Sequence, residues 1–504
     1  MLYNTKYGII HLVDIKKKRG TDIVENLMSN ENMILMDFHS LSVSNSGFES
    51  GKTTDIAYYD MFFRTNPDNG GFVIMAGVEQ MAEKLKNLSF SQSDIDYLKD
   101  KGLSEGFLNY LKNFTFSCDV WAVPEGTPVF PGEPVVTVRG PAIEAQLIET
   151  IILLSINHQS LIATKANRIS RAAQGHSVVE LGMSQAHGAD AAVFGARAAF
   201  IGGCDATTCT PAARMFGIPV FESMTHSWVQ MFDSELEAFC AYASIYPDSC
   251  TILVDTFNTL KSGLPNAIEA FNRVLIPNGH RPKAIRIDSG DIAYLSRKAR
   301  KMLDEAGFPD CEIIASNSLD EYIIRDMLLQ GARVDTFGVG ERLITSASSP
   351  VFDGVYKLSA LERNGIVEPK IKLSENVAKI TVPCFKKIYR LFDRDTGKAL
   401  ADLITLADEE INEREPYELF DPNYTWKRKT VENFVARSLL KQIFDKGRYV
   451  YNQPPLSQIK AYCSSQIDTL WNEVLRFENP HNYYVDLSQA LYDEKKRLID
   501  GLRN

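Results

Sequence analysis

The amino-acid sequence predicts an α/β fold, an α/β barrel, beside a β-rich domain built from N- and C-terminal segments. Three observations lead there. In the middle of the chain, short β-branched runs alternate with stretches whose apolar residues recur at helical spacing, the pattern of strand-helix-strand units. On either side, helical spacing gives way to valine-rich segments broken by proline and glycine, the mark of antiparallel strands and turns. The polar residues of the middle region gather at the ends of its apolar runs, where α/β proteins hold their chemistry; that position favours a barrel over an open parallel sheet. The expected division is 1–145 for an N-terminal β-rich, α+β unit, 146–350 for the barrel, and 351–504 for a segment that completes the β-rich domain and ends in helices.

Taken in order, residues 1–10 lack the long apolar core of a signal peptide, and Lys16-Lys17-Lys18-Arg19 reads as a solvated basic patch. Trp121–Pro141 packs prolines and glycines between valines and reads as short antiparallel strands. Parallel strands are expected at Val178–Leu181, Gly217–Phe221, Thr251–Asp255, Ala284–Asp288, Glu312–Ser316 and Val334–Gly338. Between them, Asp291–Ala306 places Ile292, Leu295, Ala299 and Leu303 on one face against Arg297, Lys298, Arg300 and Lys301, with Gly307 where a helix would stop. Pro265–Val274 and Leu319–Leu329 follow the same rule. Beyond Pro350, antiparallel strands are expected at Val355–Leu358, Pro369–Leu373 and Phe385–Leu391, then helices at Leu456–Phe477 and Leu487–Leu502.

Composition narrows the function. With 504 residues, 45% hydrophobic and 23% charged, the chain is long enough for a large core, and its net charge of −10 disfavours nucleic acid or an anionic membrane as partner. No apolar run approaches the roughly 20 residues that cross a bilayer, so the expected location is the cytoplasm. The eight cysteines include no C-x-x-C pair and read as reduced core thiols; no structural metal site is expected.

At the predicted strand ends stand Glu180, Asp205, His226, Asp255, Arg286 with Asp288, Ser316-Asn317 and Gly338-Val-Gly340. His226 lies between an apolar run and an amphipathic stretch, and an imidazole there serves as base, acid or nucleophile near neutral pH. Arg286 and Asp288 alternate onto one face of their strand, and the Ser-Gly turn after them exposes backbone N–H groups. Such a site suits an anionic, hydroxyl-bearing ligand.

The same residues carry a resemblance. Glu180-Leu-Gly182, Asp190–Ala198, Asp205-Ala-Thr207, His226-Ser-Trp-Val-Gln230, Val254-Asp-Thr256, Arg286–Asp291, Ala315-Ser-Asn317, Phe337-Gly-Val-Gly340, Lys372–Asn376 and Trp426-Lys-Arg-Lys429 resemble, in order, nicotinate phosphoribosyltransferase. The resemblance implies condensation of nicotinate with 5-phosphoribosyl 1-diphosphate to nicotinate mononucleotide and diphosphate. It also implies that the α/β barrel is irregular and incomplete, coupling to ATP hydrolysis with Mg²⁺, and a homodimer with shared active sites. By the same likeness His226 is the residue phosphorylated by ATP, Asp255 and Asp288 hold ribose hydroxyls or metal, Asp205 lines the base pocket, and Arg286 faces a carboxylate or the diphosphate. Ser223, Arg168 and Glu180 are carried with them as substrate-binding positions.

Several positions depart from the family pattern. Ser184-Gln185 stand where the family has two arginines, Glu222-Ser223 precede the histidine in place of Gly-Thr, and Glu341 replaces a small hydroxyl residue after Gly338-Val-Gly340. Near the N-terminus, His39 with Phe38 beside it stands for the tyrosine that stacks on the pyridine ring across the dimer. A carboxylate at 341 suits ribose hydroxyls better than phosphate. Compensation by Lys165, Arg168 or Arg342 would keep the activity. The alternatives are a diverged paralogue that uses another acceptor or an unphosphorylated ribosyl group, or a catalytically silent partner protein.

Overall fold

Six short strands, numbered along the chain, define the centre of the fold: β1 (Ser177–Glu180), β2 (Ala206–Thr207), β3 (Thr251–Leu253), β4 (Ala284–Ile287), β5 (Glu312–Ala315) and β6 (Thr336–Val339). They form one parallel sheet in the order β2-β1-β6-β5-β4-β3. The last strand pairs with the first, Thr336 with Ser177 through Val339 with Glu180, so the sheet curls back on itself as a half-barrel. The computed structural model describes residues 34–376 and 379–502; the first ten residues and the basic run at 16–19 lie outside them.

Five of the six strands fall where β-branched runs predict them. The sixth does not. Gly217–Phe221 contributes only a parallel bridge between Val220 and Thr207, because Pro219 has no N–H to extend a ladder, and the unexpected Ala206–Thr207 takes its place in the sheet. Among the described residues the ring stays open between this bridge and β3.

Helices cover the sheet as the apolar spacing requires. Ile292–Glu305 begins at Asp291, whose carboxylate caps the helix by accepting from the Tyr294 N–H at 2.9 Å. Its buried Ala299 and Leu303 share a core with Ile285 and Ile287 of β4. Glu321–Leu329 is capped in the same way by Asp320. Leu456–Ile467 is shorter than the expected helix to Phe477, since the Lys398 ammonium captures the carbonyls of Asp468 and Leu470 and turns the chain away.

N- and C-terminal strands combine in a seven-stranded sheet, in which Ile56–Phe63 pairs antiparallel with both Gly354–Arg363 and Val136–Pro141. The strand expected at 369–373 lies earlier, at Ile366–Pro369, because Asn364 and Gly365 adopt positive φ (52° and 77°) and reverse the chain into a two-residue hairpin. The segment Ala142–Ala172 is long and apolar enough to cross a membrane, contrary to the expectation from composition, with mean hydropathy 1.3. Its best window is 67% buried inside the fold, however, which is the character of a core helix.

Three buried ion-pair clusters tie these layers together. Lys165 and Arg168 on the long helix Glu149–Ala172 meet Glu321 at 2.8 Å each. Arg197 grips Glu125 at 2.7 Å. Arg390 and Asp402, both fully buried, join neighbouring strands at 2.6 Å. Removing one member of such a pair strands the other charge in the core. Arg390→Met is therefore expected to lower the unfolding free energy by about 3–5 kcal/mol in urea denaturation, whereas Arg448→Met, at an exposed pair with Asp445, should change it by less than about 1 kcal/mol.

Candidate functional site at the carboxyl rim of the parallel sheet

Each parallel strand ends in a loop that leads to a helix, so the carboxyl rim gathers loop residues from distant parts of the chain. The centre of the rim is Asp255, just after β3. One of its oxygens accepts from the Asp288 N–H at 2.9 Å and the Ser289 hydroxyl at 2.6 Å, which locks the end of β3 to the end of β4. Its other oxygen is buried and has no hydrogen-bond partner. An orphaned buried carboxylate oxygen costs free energy unless a ligand satisfies it.

His226 faces that oxygen. The imidazole opens the short helix His226–Gln230, which Thr225 caps through its hydroxyl. Nε2 lies 4.0 Å from Asp255 Oδ1 and 3.8 Å from Asp288 Oδ2, and Nδ1 lies 3.1 Å from the Thr256 hydroxyl. Thr256 and Ser289 were not singled out from sequence. The available signal was that each central acid, Asp255 and Asp288, is followed directly by a hydroxyl.

A second group is built on β4 and β5. Ile285 and Ile287 point into the core, so Arg286 and Asp288 point into the curl of the sheet. Arg286 donates from Nη2 to Asp288 at 2.8 Å and from Nε to the Ser316 hydroxyl at 2.8 Å, and Ser316 in turn donates to the same Asp288 oxygen. Asn317 and Ser318 follow with φ of 84° and 50°. Two successive side-chain-bearing residues in the left-handed region are costly, and such strain concentrates at binding sites.

Glu180 belongs to the rim but not to its open face. Its oxygens accept from the Gly182 N–H and, at 2.6 Å, from the Thr207 hydroxyl, and burial pushes its carboxyl above the ordinary range. The turn it holds brings Leu181 against Gly338, where any side chain would meet Leu181 Cδ1 at 2.4 Å. This turn also sets Ser184, exposed on Met183–Gln185, opposite Gly340, since Gln185 Oε1 lies 3.5 Å from where a Gly340 side chain would begin. Glu341 starts the next helical turn, half-buried at the same mouth.

Five predicted site residues lie elsewhere or are otherwise engaged. Asp205 is at the opposite end of the strands: it accepts from Ser177 and Val178 at the start of β1 and from Lys460 at 2.7 Å, which holds its carboxyl below the usual range although burial opposes the shift. It is an anchor for the C-terminal helix and does not line the rim. Arg168 is near the rim but bound to Glu321. Phe38 and His39 begin the helix Phe38–Glu49, where the Asp37 N–H donates to Thr150. Thr150 is in the first turn of the long helix that carries Arg168, about 27 Å further along at 1.5 Å per residue. Among the described residues no hydrogen bond, ion pair or ring contact joins Phe38 or His39 to His226. Ser223 hydrogen-bonds only to the Met224 carbonyl.

The arrangement presents acceptors and an imidazole for hydroxyls, metal or phosphoryl groups. Two carboxylates, one with an orphaned oxygen, suit a hard divalent cation such as Mg²⁺, which takes one or two protein carboxylates and fills its shell with substrate and water oxygens. Among the described residues no group of three or more His, Cys, Asp or Glu is arranged to hold a metal.

Comparison with known proteins shows the family and the fold. Residues 34–157 match the model for the N-terminal domain of nicotinate phosphoribosyltransferase, and residues 385–495 match that for the C-terminal domain. The nicotinate phosphoribosyltransferase of Bacillus subtilis (strain 168) is 41% identical over 471 residues, 93% of this chain and 95% of that protein. That of Caenorhabditis elegans is 33% identical, across 91% and 92% of the two chains. The crystal structure of human nicotinic acid phosphoribosyltransferase has the same fold, with a TM-score of 0.80 at 24% identity over 93% of this chain and 99% of that one.

If the Asp255 carboxylate locks β3 to β4, Asp255→Ala should speed hydrogen exchange of the Asp288 amide by about tenfold, the worth of one buried hydrogen bond. Asp205→Ala should leave that amide unchanged, and peptide-level exchange mass spectrometry reads both.

Proposed function

Because the chain belongs to the nicotinate phosphoribosyltransferase family, we propose that it condenses nicotinate with 5-phosphoribosyl 1-diphosphate to nicotinate mononucleotide and diphosphate, coupled to ATP hydrolysis through a phosphoryl group on His226. The observation that carries the reading is the setting of the His226 imidazole, between the Thr256 hydroxyl and two carboxylates at the rim.

The carboxylates near Nε2 favour the tautomer with its proton there, which frees the Nδ1 lone pair as nucleophile. Nδ1 attacks the γ-phosphorus of ATP, the bond to the bridging oxygen breaks, and ADP leaves with that oxygen; water later attacks the same phosphorus, the N–P bond breaks, and inorganic phosphate leaves with the imidazole restored. Mg²⁺, held by Asp255 and Asp288, would supply charge neutralisation for the diphosphate. In the condensation, the nicotinate ring nitrogen forms a bond to C1 of the ribosyl group as diphosphate departs. Arg286 Nη1, which makes no hydrogen bond among the described residues, is left to receive the nicotinate carboxylate. Phe38 and His39, which make no contact with His226 among the described residues of their own chain, would stack on the pyridine ring of a partner's site in a homodimer. The reading places the enzyme in the cytoplasm, with small-molecule substrates and neither nucleic acid nor membrane as partner.

One observation favours a second reading. The cations nearest the mouth at Gly340 are already neutralised: Lys165 and Arg168 by Glu321, Arg342 by Asp320, while Glu341 adds an unpaired carboxylate. A donor without the 5-phosphate, or another acceptor, would meet less repulsion there.

Incubation with ATP and Mg²⁺ should label His226, and His226→Ala should abolish both the label and ATP-dependent formation of nicotinate mononucleotide. Absence of label in the unaltered protein would sink the ATP-coupled reading. Calorimetric titration with 5-phosphoribosyl 1-diphosphate should give saturable binding, tightened about tenfold in Ser184→Arg/Glu341→Thr as one charge repulsion is removed and an attraction gained. Binding seen only in the double variant would establish the second reading.

A further inference from the structure

Away from the rim, a cavity of about 1010 Å³ lies between the turn of the Tyr417–Phe420/Arg428–Val431 hairpin, the segment 476–486 and the loop at Asn66. Its lining includes Lys427, Lys429 and Arg476, none of which forms an ion pair among the described residues. Arg428, beside them, is already paired with Glu418. Aromatic faces support two of the free cations instead, with Lys427 over Tyr424 at 4.2 Å and Lys429 over Tyr484 at 5.2 Å.

Trp426 lines the same cavity and is 75% exposed, an unusual state for a large apolar ring; it touches only the edge of Tyr424 at 6.2 Å and the Lys427 ammonium at 5.3 Å among the described residues. Asn66 adds a buried side-chain oxygen that lacks a hydrogen-bond donor. Two carboxylates, Asp421 and Asp486, also face the space; burial, helped by Asp421, pushes Asp486 up to about 6. Three cations, of which Lys429 already acts on Asp486 at longer range, against two acids leave a positive surplus, gathered in a protein whose net charge is −10. A concave cationic site with one exposed flat ring and an unmet acceptor suits a ligand that has phosphates, a planar base and an amino group.

We propose that this cavity binds a nucleoside polyphosphate, its base stacked on Trp426 and its phosphates held by Lys427, Lys429 and Arg476. The site is separate from the rim and does not depend on the activity proposed for it. ADP, which carries base and phosphates without a transferable γ-group, is the probe. Calorimetric titration of the full chain should give one more equivalent of bound ADP than the same titration of Trp426→Ala/Lys429→Glu/Arg476→Glu, whose three side chains are exposed and whose far-UV spectrum and melting should be unchanged. The difference of one equivalent is expected whether or not the rim also binds ADP, so failure of the rim reading leaves it intact. Equal stoichiometry in the two proteins overturns the proposal. A change of oligomeric state in the triple variant, read by sedimentation, overturns it too, by assigning the face to a second copy of the chain. A single Trp426→Phe substitution, which keeps a ring but shrinks it, should weaken the extra equivalent by a few-fold and leave its stoichiometry at one.

Discussion

The hydrogen bonding of the last parallel strand to the first is the constraint from which the rest of the molecule follows. Thr336–Val339 pairs with Ser177–Glu180, although about 160 residues separate them, and that closure bends six short strands into a half-barrel. Flat strands would spread their loops along an edge. Bent ones bring the ends of β3, β4, β5 and β6 within reach of a single ligand, and Asp255, Asp288, Ser316 and Gly340 become neighbours only for that reason. The gap left in the ring, between Val220 and β3, is where the His226 loop enters. The histidine is thus carried on a segment free of the sheet's register.

Charge pairing then decides which side chains remain available. The cations Lys165, Arg168 and Arg342 are neutralised by acids from remote elements, and what stays unmet among the described residues is one oxygen of Asp255 and one arm of Arg286, beside an imidazole held by Thr256. A site is described as much by the groups withheld from it as by those presented. Lys165, Arg168 and Glu321 brace the helix Glu149–Ala172 against the start of the helix Glu321–Leu329 that follows β5.

Much of this was legible in the sequence, for identifiable reasons. The strands β1, β3, β4, β5 and β6 announce themselves because buried parallel strands need unbroken β-branched runs, and Asp291 and Asp320 mark helix starts because a carboxylate at that position meets free N–H groups. Alternation along β4 puts Arg286 and Asp288 on one side without any further knowledge. The failures have a common cause. Asp205 looks like a strand-end acid, and only Lys460, 255 residues away, shows that it sits at the other end. Arg168 looks like a free cation until Glu321, 153 residues away, claims it. Gly217–Phe221 has strand composition but a proline where the ladder needs a donor. Local pattern fixes which face a residue takes; only tertiary pairing fixes whether its charge is spent.

The interleaving of the seven-stranded sheet has a consequence for how the chain reaches this state. Ile56–Phe63 is flanked by Val136–Pro141, made soon after it, and by Gly354–Arg363, made some 300 residues later; Asp119–Ala122 waits still longer for Lys441–Asp445. During vectorial synthesis the half-barrel strands, all within 177–339, emerge complete while two edges of the other sheet are still open. Contacts of such sequence separation close slowly, so the nascent protein must hold unpaired strand edges through the translation of most of its length. A ribosome that stalls after the half-barrel but before residue 441 would therefore release a species with an assembled catalytic rim and an adhesive, unfinished sheet, a natural substrate for chaperones that shield strand edges.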